Sequence, residues 1–287
     1  MGVIICDTAC DMWENHVKEF NLEVIHIPIA LDGVDLETSL PLNKLDEFYA
    51  SLKKGIVSKT ALINEFTFEE TFEKYLAKGE DVLFIHFSGS LTGSYKVLPN
   101  VRDKLLAKYP ERKLLFVDTL GVTMQSGVMV YTAAKMYKSG KSFEEIVLFL
   151  EDLKQHIACY FGMDDLFYLK RGGRISAMAA IGGTMLGIKP ICKCDAEGKI
   201  VKYSTTKGWR GIISKLVSLM QETGDGVADF PIIVAHASNE TDAKTLQEEV
   251  YKIVGRDANV WIIPIGAIIG THCGPGTVGL VFRAKHR

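Results

Sequence analysis

A chain of 287 residues, 47% hydrophobic and 24% charged, has enough apolar material for two ordinary domains. With a net charge of −2 and its Lys and Arg spread along the sequence, it is not expected to bind nucleic acid. No apolar run reaches the roughly 18–20 residues of a membrane-spanning helix, and the first residues lack the pattern of a secretory signal, so no stable membrane insertion and a cytoplasmic location are expected.

In chain order, short apolar strands are expected at 3–6 and 24–30, followed by a helix over 43–53 with Leu45, Phe48, Tyr49 and Leu52 on one stripe. A helix over 66–77, a buried strand at 82–87, a helix from about 93 to 108 and a strand at 114–118 come next. Two helices, 127–138 and 143–156, complete this half, and Ser142 with Glu145 forms the capping box of the second. Beyond residue 157 strands dominate: 157–161, 188–194, 200–204, 232–237, 260–264 and 278–282, with helices at 210–222 and 242–254. The Ala196-Glu197-Gly198 turn joins two of these strands as a hairpin. The fold class expected is α/β with two domains. Residues 1–157 should form a three-layer parallel sheet with helices on both faces, and residues 158–287 a two-layer mixed sheet with helices on one face.

Six cysteines at 6, 10, 159, 192, 194 and 273 form no C-x-x-C pair and are expected as free thiols. Cys192-Lys193-Cys194 has no second half-site, and in a strand its two thiols simply share one face, so no metal site is expected.

Three glycine- and hydroxyl-rich segments lie where open α/β sheets bind ligands. Residues 87–95 (Phe-Ser-Gly-Ser-Leu-Thr-Gly-Ser-Tyr) leave a strand and enter a helix, so their amides and hydroxyls suit an anion, although one of them is needed merely to cap the helix. Residues 164–175 carry Lys170, Arg171 and Arg174 around a glycine pair, fitting either a solvated helix end or a docking patch for an acidic partner. Residues 270–276 (Gly-Thr-His-Cys-Gly-Pro-Gly) place His272 in a tight glycine loop, whereas His86 and His236 belong to strands and read as structural. Enzyme motifs fail: the glycine spacing of 182–187 has Ile188 where a P-loop needs lysine, Leu91 stands where a nucleophile elbow needs serine, and Cys273 is a sequence neighbour of His272 rather than a positioned partner.

Taken in order, these segments resemble the DegV family, fatty-acid-binding proteins that serve as the binding subunit of bacterial fatty acid kinase. The resemblance runs along essentially the whole chain: Asp7-Thr8-Ala9-Cys10-Asp11 is similar to the family's D-S-x-x-D opening, residues 87–95 to S-S-x-L-S-G-T-Y, and Val117-Asp118-Thr119 to V-D-[ST]. Leu169-Lys170-Arg171-Gly172-Gly173-Arg174-Ile175, then Leu186-Gly187-Ile188-Lys189-Pro190, and the closing G-x-H-x-G-P-G complete it. The resemblance implies a long-chain fatty acid held between the two domains, with no cofactor. Its carboxylate would be bound by Thr60, Thr92 and His272, helped by Ser94 and the backbone at Gly93. It also implies a fatty acid kinase catalytic subunit as partner, and Lys170, Arg171 and Arg174 are the expected docking residues. The chain departs from the pattern at Ala9 and Ala61, each standing where the family has a hydroxyl. The competing class is a stand-alone enzyme, a hydrolase or a dihydroxyacetone-kinase-like protein.

Overall fold

Apolar runs that are buried on every residue can only sit in a sheet covered on both faces, and the chain opens with one of them. The computed structural model describes residues 2–36, 42–175 and 187–287. In chain order its elements are β1 (Gly2–Asp7), α1 (Glu14–Glu19), β2 (Glu23–Ile25), β3 (Ile29–Leu31), β4 (Val34–Leu36), α2 (Leu42–Lys53), β5 (Ser58–Thr60) and α3 (Glu65–Leu76). There follow β6 (Asp81–His86), α4 (Leu98–Lys108), β7 (Leu114–Asp118), α5 (Met124–Lys138), α6 (Phe143–Leu153), β8 (Ile157–Gly162) and α7 (Phe167–Arg171). The remainder comprises β9 (Ile188–Cys194), β10 (Ile200–Lys207), α8 (Gly208–Thr223), β11 (Ile232–His236), α9 (Glu240–Val254), β12 (Val260–Pro264), α10 (Ala267–Cys273) and β13 (Val278–Arg283).

Strands β2-β1-β6-β7 form a parallel sheet. Val82, Leu83, Phe84 and Ile85 are all fully buried, as consecutive residues can be only when both faces are covered. Helix α3 packs against β6 and against α4, while α5 packs against β1, α6 against β7, and the two against each other. The capping box at the start of α6 is formed as expected: Ser142 Oγ accepts from the Glu145 amide, and the Glu145 carboxylate accepts from the Ser142 amide at 2.8 Å.

The second large sheet is mixed, in the order β10-β9-β8-β13-β11-β12. Its strands obey the two-residue period: Ala158, Tyr160, Ile232, Val234, Leu280 and Phe282 pack under α8 and α9. Cys159, Phe161, Ile233, Ala235 and Val281 point the other way and join the core of the parallel-sheet half. This inner face therefore supplies both the packing between the two halves and the floor of a cavity.

Three departures from the sequence reading matter for the site. The strand expected over 24–30 divides at Pro28, which has no amide to continue a ladder. Its first part stays in the parallel sheet as β2, and its second becomes β3 of a small antiparallel sheet, β4-β3-β5. The helix expected from 93 begins as a 3-10 turn over Ser94–Val97 and becomes α-helical only at Leu98. Residues 270–276, read as a loop, are helical up to Cys273. Residue 186 and most of the 182–187 glycine segment lie outside the described residues.

Helix α2 buries the expected stripe, Leu45, Phe48, Tyr49 and Leu52. Its Tyr49 hydroxyl donates to the Ile265 carbonyl at 2.7 Å, fixing α2 to the turn before α10. Replacing Tyr49 with Phe leaves that buried carbonyl without its donor and is expected to cost about 1–2 kcal/mol. Urea unfolding would show it as a lowered midpoint at unchanged slope.

Candidate functional site

The loops at the carboxyl ends of β1, β6 and β7 open toward the inner face of the mixed sheet. In the parallel sheet, β2 lies on one side of β1 and β6 on the other, so the switch point falls between β1 and β6, where ligands of open α/β sheets usually bind. Asp7, at the end of β1, ties the two loops together: its carboxylate accepts from the Ala9 amide at 2.8 Å, the Phe87 amide at 2.9 Å and the Tyr95 hydroxyl at 3.0 Å. Burial pushes this carboxyl up to about 6 despite those donors.

A cavity of about 200 Å³ lies between these loops and the mixed sheet. Phe161, Cys159, Ala235, Gly279 and Val281 make its floor, and Ile27, Phe87, Leu91, Ile265 and Ile268 are among its apolar walls. Along one line of the sheet Phe161, Gly279 and Ala235 stand side by side on β8, β13 and β11, so two small residues widen the floor next to one aromatic ring. Among the described residues, the polar side chains that reach the cavity are Thr60, Thr92, Thr123, Arg174, His272 and Thr277. Two of these hydroxyls are already committed: Thr277 donates to the Cys273 and Gly274 carbonyls, and Thr123 to Asp11 at 2.6 Å. Thr60, Thr92, Arg174 and His272 are the others on the lining, and their bonds run to one another or to near neighbours along the chain.

Thr60 sits at the end of β5, paired with Ile29 of β3. Its hydroxyl shares a 2.9 Å hydrogen bond with Nε2 of His272 from the last turn of α10. Nδ1 of the same ring is buried with no hydrogen-bond partner, and it fills the space where a side chain on Gly172 would stand. Burial, reinforced by the positive charges of Arg174 and Arg171, pulls His272 down to about 4, so the ring is neutral at neutral pH. Thr92 bridges to Ser94: its hydroxyl donates to Ser94 Oγ and accepts from the Ser94 amide, both at 3.1 Å.

The expected site residues thus divide into two groups. Thr60, Thr92 and His272 come together at the cavity. Ser94 stands behind Thr92, with its hydroxyl accepting from the Ile63 amide at 3.1 Å, and Gly93 lies against Leu62 rather than on the lining. Among the other hydroxyls of the 87–95 segment, Ser88 and Ser90 donate to the carbonyls of Gly198 and Glu197 at the tip of the β9–β10 hairpin, so they hold that hairpin and not a ligand. Lys170 and Arg171 are exposed, the Arg171 guanidinium lying 4.8 Å from the Tyr168 ring centre. Arg174 is separate from them: it is half-buried, lines the cavity and donates to the Gly172 carbonyl. Sequence reasoning missed the aliphatic lining altogether, because alternate residues of β8, β11 and β13 look the same whether they face a core or a cavity.

All six cysteines are free and buried, and among the described residues no group of His, Cys, Asp or Glu is arranged to hold a metal. Cys192 and Cys194 do share one buried face of β9. No helix among the described residues is long and apolar enough to cross a membrane.

A family model described as "Uncharacterised protein, DegV family" matches residues 2–285. The chain belongs to the DegV family. It is 33% identical to a DegV domain-containing protein of Clostridium perfringens, over 98% of this chain and 96% of that one. Among solved structures, a fatty acid binding DegV family protein from Streptococcus agalactiae superposes with a TM-score of 0.84 at 26% identity, covering 100% of this chain and 99% of that one. A DegV family protein from Thermus thermophilus, described for its fatty acid binding, superposes with a TM-score of 0.86 at 22% identity over 98% and 99% of the two chains. These likenesses show the DegV fold here: a parallel sheet and a mixed sheet, with helices.

The neutral His272 carries a pH signature. A histidine whose folded value lies below its free value of 6.5 supports the folded state fully above 6.5 and loses that support as pH falls toward 4. Asp7, with its raised value, contributes with the opposite sign, so the difference between wild type and His272→Gln isolates the ring. Between pH 6.5 and 4 the ligand-free wild type should lose up to about 3 kcal/mol relative to the variant, measured by denaturant unfolding across that range.

Proposed function

We propose that this DegV protein binds a long-chain fatty acid between its two domains, residues 1–157 and 158–287, and presents the carboxylate to a partner kinase for acyl-phosphate formation. The observation that carries the reading is the uneven distribution of chemistry in the cavity: apolar floor and walls, with Thr60, Thr92, His272 and Arg174 as the polar groups on the lining that can turn toward a headgroup. A tail of about fifteen methylenes gains on the order of 12 kcal/mol gross on burial, at about 0.8 kcal/mol per methylene. Immobilising the ligand takes back several kcal/mol, which still leaves tight binding.

The carboxylate is the costly part to bury, since it must be hydrogen-bonded or paired once removed from water. The Thr60 and Thr92 hydroxyls, rotated from His272 and Ser94 toward the ligand, supply charge-assisted bonds. Arg174 adds a half-buried positive charge beside His272, which suits an anion at this end. An arriving carboxylate offsets Arg174 and raises the His272 ring from its low value, so binding takes up protons there. The S. agalactiae relative, described as fatty acid binding, supports the ligand class. A second DegV structure, from Eubacterium eligens, is described as loaded with heptadecanoic acid.

The partner reading rests on the exposed Lys170 and Arg171, which continue onto Arg174 at the cavity. One short basic segment in this way runs from the outer surface to the cavity lining, which suits approach of another protein to a bound carboxylate. The carboxylate, held by this chain, is then the phosphoryl acceptor, and ATP, bound by the partner, is the donor and leaves as ADP.

Native mass spectrometry of the purified protein should show a bound mass in the fatty-acid range that is lost on denaturation, whereas a protein that stays empty when offered C16–C18 acids overturns the lipid reading. Thr60→Val should weaken binding about tenfold, the equivalent of one hydrogen bond at about 1.4 kcal/mol, in a fluorescent fatty-acid displacement assay. Charge reversal at Arg171 should abolish phosphorylation by the cognate kinase while lipid binding persists. Unchanged turnover in Arg171→Glu would remove the docking role and leave the lipid reading standing.

A further inference from the structure

Asp7 and Asp11, the acidic residues of the opening motif, do not line the cavity, yet the carboxylate of Asp11 touches two of its walls at once. Thr123 lines the cavity at the start of α5 with φ 47° and ψ −140°, a region that a β-branched residue enters only under constraint. Its hydroxyl donates to Asp11 Oδ2 at 2.6 Å. On the other side, the same carboxylate packs against Gly266 at the N-terminal end of α10, with Asp11 Oδ1 filling the space where a side chain on residue 266 would stand. Asp11 itself is held at φ 49°, at the end of the 3-10 turn that follows β1. One carboxylate therefore joins the strained turn before α5 to the helix that carries Ile268, Ile269, His272 and Cys273 into the cavity.

We propose that Asp11 is a positioning residue that pins α10 to the Thr123 turn and thereby sets how readily the cavity opens to exchange its ligand. The inference rests on the reading of the cavity as an acyl-chain site, but the pin itself is measurable without ligand. The geometry makes the conservative variant informative. Asn at position 11 keeps both contacts, its carbonyl oxygen packing against Gly266 and its amide donating to the Thr123 hydroxyl, which can reverse its role. Ala keeps neither.

The experiment is amide hydrogen exchange on the ligand-free protein, followed by fatty-acid dissociation in a stopped-flow displacement assay. Asp11→Ala should speed exchange at least tenfold within residues 267–273 and 120–126, with β11 and β13 unchanged, and should speed dissociation of a C16 probe by a similar factor. Asp11→Asn should stay within about threefold of wild type in both. Uniform acceleration through every element, or equal behaviour of the Ala and Asn variants, would reduce Asp11 to an ordinary stabilising contact and overturn the proposal. Local opening of α10 without faster dissociation would likewise overturn its role in ligand exchange. If the wild type binds no fatty acid while the exchange pattern appears as stated, the lipid reading falls and the pin remains.

Discussion

Helix α10 is seven residues long and carries His272, and a helix of that length has no stability of its own. What holds it is a stripe of glycines at 266, 270 and 274, spaced four residues apart and so aligned on one side. Each glycine is filled by a side chain from another part of the fold: Asp11 at Gly266, Tyr49 at Gly270 and the Tyr168 ring at Gly274. Tyr49 and Tyr168 are in turn fixed by hydrogen bonds to the Ile265 and Leu52 carbonyls. A β-carbon at any of the three positions would push one of these groups away, and the imidazole at the cavity would move with the helix.

Dehydration sets the chemistry of the site. The same burial that keeps His272 neutral raises Asp7 and Asp11, so for all three groups around these loops loss of water favours the uncharged form. Arg174 is the cation that reaches the lining, and its guanidinium is itself disfavoured by loss of water. An anion placed beside them would favour the charged forms of both Arg174 and His272.

Much of the fold is legible in the sequence because burial imposes a period. The apolar runs of β6 and β7, the stripe of α2 and the capping box of α6 all correspond to what the structure contains. The small antiparallel sheet was not legible, since strands of three residues are too short to display alternation and Pro28 hides a change of sheet within one apolar run. Helix α10 reads as a loop because glycine disfavours helix intrinsically, and only the distant side chains packed into its glycine stripe reverse that preference. At the site, the ordered motifs brought Thr60, Thr92 and His272 together. Nothing local separates Arg174 from Lys170 and Arg171: the three share one basic cluster, and the direction each takes is decided by the turn at Gly172 and Gly173.

The six buried thiols have a practical consequence. Burial pushes all of them well above the ordinary range, so each is a poor nucleophile while its surroundings stay closed. Cys159 and Cys273 border the cavity, whereas the other four lie behind it in the core. Alkylation at those two positions therefore acts as a clock for opening of the cavity, and alkylation at the others as a clock for opening of the whole fold. The protein carries two intrinsic reporters of different motions, with no label added.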